Sequence, residues 1–172
     1  IEMTKNNMEI FLLRHGDANS DSKKIIDDSK RSLTDAGIKE IENVSKFFAE
    51  FDITIDHIFA SPLKRAKQTA EIIAKDQKKA QLTEMIELKP EGVAEDVCKK
   101  IIKQSKPTIL IVGHMPLLVN IISYITSQKH FTCDLSLKTG GLVKIKTITI
   151  EPHLHGQLEW LLTPKMIRKV SK

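Results

Sequence analysis

Three stretches of this chain place reactive side chains directly after short apolar runs: Arg14-His15-Gly16, Ser61 to Arg65, and Gly113-His114. If the three stretches converge, two guanidinium groups and two imidazoles meet in one pocket. Guanidinium groups form planar, charge-assisted hydrogen bonds to phosphate oxygens, so such a pocket is an anion site and phosphate its natural occupant. A helix opening at Ser61-Pro62 would turn its positive N-terminal end towards the same anion.

Convergence depends on the elements between these stretches. Met8 to Arg14 reads as a buried strand ending in a loop. From Thr34, residues Ile38, Ile41, Val44 and Phe48 recur at helical spacing, and Thr34 or Asp35 is available as a cap. Asp56 to Ala60 predicts a second strand, with Ser61 as N-cap and Pro62 at the first position of a helix running to Lys75. Gln81 to Leu88 fits a strand or extended arm, and Val93 to Gln104 a helix that stops before Pro107. Thr108 to Val112 is the most hydrophobic strand candidate, followed by a helix through Leu117, Leu118, Ile121, Ile122 and Ile125. Alternation over Gly141 to Glu151 and Gln157 to Leu162 predicts an antiparallel hairpin at the sheet's edge. Strands alternating with helices predict a three-layer α/β/α sandwich with a mainly parallel sheet and an antiparallel edge strand. In such sheets ligands bind outside the carboxyl ends of the strands, where all three reactive stretches fall.

With 172 residues, the chain is expected to form one domain over residues 8–165, leaving 1–7 and 166–172 as loose termini. Its 41% hydrophobic and 28% charged residues are those of a globular protein. The apolar runs are far shorter than the roughly 20 residues that cross a bilayer, so no membrane partner is expected. The polar start, Ile1 to Asn7, lacks the apolar stretch of a signal peptide. Cys98 and Cys133 match neither a metal-ligand spacing nor a disulfide framework, which points to reduced thiols in the cytoplasm. The net charge of +5 is spread along helices among acidic residues, so no nucleic-acid partner is expected, while a phosphorylated substrate would be attracted. His57, His130, His153 and His155 read as non-catalytic, and the His153-x-His155 pair lacks a third metal ligand nearby.

The motifs together resemble the histidine phosphatase, or phosphoglycerate-mutase-like, superfamily. Arg14-His15-Gly16 matches its signature tripeptide, and Leu33-Thr34-Asp35-Ala36-Gly37 is similar to its Leu-Thr-x-x-Gly. Residues 60–70 follow its Ser-Pro-x-x-Arg-Ala-x-Gln-Thr element, and Gly113-His114-Met115-Pro116 its fourth element. Residues 14–18, 87–92 and 139–142 are most similar to the small SixA-type phosphohistidine phosphatases of that superfamily. About twenty residues separate Arg65 from Glu87, leaving no room for the long insertions of the larger mutases and sugar phosphatases.

This resemblance implies a metal-independent phosphatase without cofactor, with His15 as the nucleophile that carries the phosphoryl group. Arg14, Arg65 and His114 would hold the phosphoryl oxygens and stabilise their charge in an in-line displacement. Glu87 is the implied general acid, with Asp17 and Asp21 as alternatives. Ser61 reads first as a helix N-cap and then as a supporting hydroxyl among the substrate-binding positions. Asp21, seven positions after Arg14, joins those positions where sugar mutases usually carry Asn. The expected substrate is a phosphohistidine-bearing protein. Alternatives are a small phosphate ester and, in another class, a non-catalytic phospho-binding module. Thr139-Gly140-Gly141 reads as a tight turn outside the catalytic set.

Overall fold

The computed structural model describes residues 8–18, 27–104, 106–127, 134–151 and 153–171. Asp21, His130 and Cys133 lie outside the described residues. The strands are β1 (Glu9–Arg14), β2 (His57–Ala60), β3 (Gln81–Glu84), β4 (Thr108–Gly113), β5 (Leu142–Thr149) and β6 (His155–Leu162). The helices are α1 (Asp35–Glu50), α2 (Lys64–Asp76), α3 (Ala94–Ile102), α4 (Leu117–Ser127) and α5 (Pro164–Val170). The strands form one sheet in the order β3-β2-β4-β1-β5-β6. β3, β2, β4 and β1 pair in parallel, and β5 runs antiparallel to both β1 and β6.

Side chains alternate across a strand, and β1 shows how that builds three layers. Ile10 and Leu12 join Ile109, Ile111 and Val143 in a core with Val97 and Ile101 of α3 and Leu118 and Ile122 of α4. Phe11 and Leu13 join Leu110 and Val112 in a second core with Val44 and Phe48 of α1 and Ala66 and Ile73 of α2. Buried on both faces, β1 and β4 can be continuously apolar. The chain covers one face through α1 and α2, then returns along the other through α3 and α4. The carboxyl ends of β1, β2 and β4 lie at this reversal.

Two expectations are corrected and a third is narrowed. Residues 166–171, expected within a loose terminus, pack on the domain: α5 covers residues 164–170 and buries Ile167 against the α1–α2 core, and the Ser171 hydroxyl donates to the Ile167 carbonyl at 2.6 Å and lies 3.3 Å from the Asn43 carbonyl of α1. Ser61 is not the cap of α2, which starts at Lys64 after Leu63, with no side-chain cap bond. Gln81 to Leu88 is a four-residue strand followed by a 3-10 turn, because the chain leaves the sheet edge after Glu84 to bury Leu88. The Thr34 cap stands, its hydroxyl accepting from Gly37 N–H.

Candidate active site

Strand register brings the three reactive stretches together. Arg14 lies beside Gly113, and the next amide, His15 N–H, donates to the Gly113 carbonyl at 3.2 Å. On the other side of β4, Ser61 N–H donates to the Val112 carbonyl at 3.0 Å. His15, Ser61 and His114 therefore leave three neighbouring strands at one level. The His15 and His114 ring centroids are 5.0 Å apart, and the two residues are 7% and 2% exposed, so both rings lie within the protein rather than on its surface.

The hydrogen bonds of His15 define its tautomer. A carbonyl only accepts, so the bond of 2.8 Å to the Gly16 carbonyl requires a proton on His15 Nδ1. Arg65 Nε–H donates to His15 Nε2 at 3.2 Å, which requires a lone pair there. Burial, together with the charges of Arg65, Arg14 and Arg31, pushes the His15 pKa down to about 4, outweighing the opposing bond to Gly16. At neutral pH the ring is uncharged, with Nε2 unprotonated.

His114 is pushed down to about 3, first by burial and then by His15 and Arg65. Its Nε2 is 2.8 Å from Ser61 Oγ, while its Nδ1 is buried without a partner among the described residues. Ser61 Oγ also accepts from Leu63 N–H at 3.4 Å; where its own proton goes to His114 Nε2, Nδ1 is the protonated nitrogen of that ring. The expected hydroxyl at Ser61 is thus at the site, employed on an imidazole rather than on a helix end.

Arg65 is oriented by two further contacts, both with Asp28. Its Nη1 donates to the Asp28 carbonyl at 2.8 Å and its Nη2 to Asp28 Oδ2 at 3.0 Å, while Asp28 Oδ1 takes Arg31 Nη1 at 2.9 Å. Asp28 is ionised, its carboxyl held below the ordinary range by Arg31 and Arg65 against the cost of burial. Arg14 Nη1 donates to the Leu137 carbonyl at 2.8 Å, and its Nε is buried without a partner among the described residues. The guanidinium groups of Arg14 and Arg65 are close enough that Arg65, after burial, lowers the Arg14 pKa.

The loop carrying His15 is pinned from several sides. Thr69 Oγ1 accepts from Gly16 N–H at 3.2 Å and donates to the Arg65 carbonyl at 2.8 Å, tying the first loop to α2. Gly37 lets α1 start against this loop, since an added Cβ would overlap the Asp17 carbonyl. Gly140 (φ +65°) turns the 138–140 segment so that its N–H reaches the carbonyls of both Arg14 and His15 at 3.1 Å.

Glu87 is not joined to this cluster. Its Oε1 accepts from Lys100 Nζ of α3 at 2.6 Å, and that bond, with one to its own backbone, holds its carboxyl below the ordinary range. A carboxylate so paired holds no proton at neutral pH. Asp17 is engaged as well, its Oδ2 accepting from Thr34 Oγ1 at 2.8 Å. His57 is structural, its Nε2 2.9 Å from Thr83 Oγ1 and its ring stacked on Phe59. Asp28, Arg31 and Thr69 were not among the expected site residues. Thr69 lies inside the matched 60–70 element, but Asp28 and Arg31 occupy a polar stretch whose periodicity gives no signal.

Comparison with known proteins places this fold and cluster in context. Residues 10–90 match the family model "Histidine phosphatase superfamily (branch 1)", and the resemblance read in the motifs is borne out. The chain is 24% identical to phosphohistidine phosphatase SixA of Escherichia coli (strain K12) over 91% of its own length and 94% of the relative's. Among solved structures, it superposes on the protein histidine phosphatase SixA complexed with tungstate with a TM-score of 0.81, at 23% identity, covering 92% of this chain and 98% of that one. A phosphoserine phosphatase mutant of Entamoeba histolytica in complex with phosphoserine gives a TM-score of 0.70 at 18% identity, covering 92% and 98%. The fold is that of the SixA structures, an α/β architecture with a mostly parallel sheet.

Proposed function

We propose that this protein is a phosphatase that removes phosphoryl groups from protein phosphohistidine through a covalent phosphohistidine on His15. The observation that carries this reading is the fixed state of His15: neutral, protonated on Nδ1, with the Nε2 lone pair accepting from Arg65 Nε–H and the ring 5.0 Å from that of His114. A phosphoryl group entering the pocket would take the Arg65 Nε–H as a donor to oxygen and free the lone pair for attack on phosphorus. The bond from phosphorus to the substrate nitrogen breaks as the bond to His15 Nε2 forms. Arg14, Arg65 and His114 bear the charge on the equatorial oxygens. Water then attacks phosphorus, returning His15 and releasing inorganic phosphate. Asp21 remains an expected substrate contact.

The imidazole of phosphohistidine departs more readily than an alkoxide, so the pairing of Glu87 with Lys100 fits this substrate better than an ester that needs a proton donor. Similarity to the Escherichia coli SixA over nearly the full length supports the same choice. A small phosphate ester is the second reading, favoured by the shared fold of the phosphoserine phosphatase structure.

The test is burst-phase release from a phosphohistidine-bearing protein and from para-nitrophenyl phosphate, with acid-labile phosphate trapped on the enzyme. We expect a phosphoenzyme that vanishes in His15→Ala and a preference for the phosphoprotein. Equal activity in His15→Ala would remove the nucleophile assignment. Turnover of the ester alone would support the second reading, and phosphate binding without turnover would indicate a binding module.

A further inference from the structure

A cleft of about 760 Å³ lies between α1, the 138–140 turn and α5. Its walls carry Lys39 and Lys46 of α1, Lys138 of the turn, and Lys165 and Arg168 of α5, all exposed. None of these five cations is in an ion pair among the described residues. Two carboxylates share the lining, and one of them is engaged: Glu40 Oε2 accepts from Asp17 N–H at 3.1 Å. The excess positive charge therefore faces solvent unpaired.

Two residues lining the cleft, Glu40 and Thr139, adjoin the reactive loop. Glu40 holds Asp17, two residues after His15, and Thr139 of the lining precedes Gly140, whose N–H bonds the His15 carbonyl. A phosphoryl group on His15 would occupy a pocket for three oxygens, and any protein carrying it would have to spread over neighbouring surface. On this side that surface is basic.

We propose that the cleft docks an acidic surface of the phosphohistidine-bearing protein, a step that rests on the phosphoprotein reading above. Oppositely charged surfaces raise the rate of encounter and set orientation, and their effect weakens as salt is added. The cleft therefore acts on the carrier protein and is silent towards a small ester that reaches only the oxygen pocket.

The experiment compares wild type with Lys165→Glu/Arg168→Glu and, on the opposite wall, Lys39→Glu/Lys46→Glu. Each is assayed on an acidic phosphohistidine-bearing phosphotransfer protein across a salt series and, in parallel, on para-nitrophenyl phosphate. We expect KM for the phosphoprotein to rise about tenfold at low salt in both pairs, with kcat little changed and the difference fading at high salt. Ester kinetics should match wild type. Unchanged phosphoprotein KM in both pairs at low salt would overturn the docking surface while leaving the phosphoprotein reading intact. An equal rise in KM for the ester would overturn it too, because the charge would then act on the phosphoryl group itself. Weaker binding to phosphatidylserine vesicles with unchanged phosphoprotein KM would give the face to a membrane instead. A wild type that turns over the ester but no phosphoprotein would defeat the phosphoprotein reading, and the docking surface with it.

Discussion

Holding His15 and His114 neutral within the protein has a measurable cost in acid. An unfolded chain returns each imidazole to about 6.5, whereas the folded values are about 4 and about 3. Between those limits the unfolded state binds protons that the folded state does not, so stability rises with pH across the window and is lost as pH falls through it. From about pH 7 to about pH 5, each histidine should destabilise the fold by about 2 kcal/mol, and the pair by about 4 kcal/mol, a large part of ordinary domain stability. Buried His57, also lowered by burial, acts in the same direction, and Glu40, raised by burial, acts oppositely. Comparing wild type with His15→Asn cancels those shared terms. Urea unfolding at both pH values should show a pH-dependent loss about 2 kcal/mol smaller in His15→Asn than in wild type. Equal losses would refute the reasoning, as would a His15 ring resonance that titrates near 6.5 in the folded protein.

Two further outcomes follow from the site's contacts. Ser61→Ala removes the hydroxyl that holds the His114 ring through Nε2, so kcat should fall about tenfold with KM nearly unchanged, and Ser61→Thr should recover most of it; a change confined to KM would contradict this role. Glu87→Gln should alter kcat on phosphohistidine less than about threefold and cost about 1 kcal/mol or less of stability in urea titrations, since it loses only a partly exposed pair with Lys100; a hundredfold loss of activity would restore Glu87 as the proton donor.

The sequence alone determined the layers and predicted which side chains meet at one edge of the sheet. Continuous apolar runs at Ile10–Leu13 and Ile109–Val112 can be satisfied only by burial on both faces, and helical periodicity from Ile38 to Phe48 supplies one covering layer. Arg14 ends β1, His15 and His114 follow β1 and β4, and Arg65 opens α2 after β2, so parallel register brings these expected positions to one edge. Tertiary structure alone decided what each side chain does with its hydrogen bonds. Ser61 reads as a helix cap until β4 places His114 2.8 Å away, and Glu87, expected as the proton donor, is paired with Lys100 of α3. Asp28, whose contacts orient Arg65, is 37 residues away along the chain, and Thr69 is 53 residues from the Gly16 amide it holds. Local patterns report burial and backbone conformation, because those depend on near neighbours in sequence. Protonation states and hydrogen-bond partners depend on which distant groups the packed layers bring within about 3 Å, and no local pattern contains that distance.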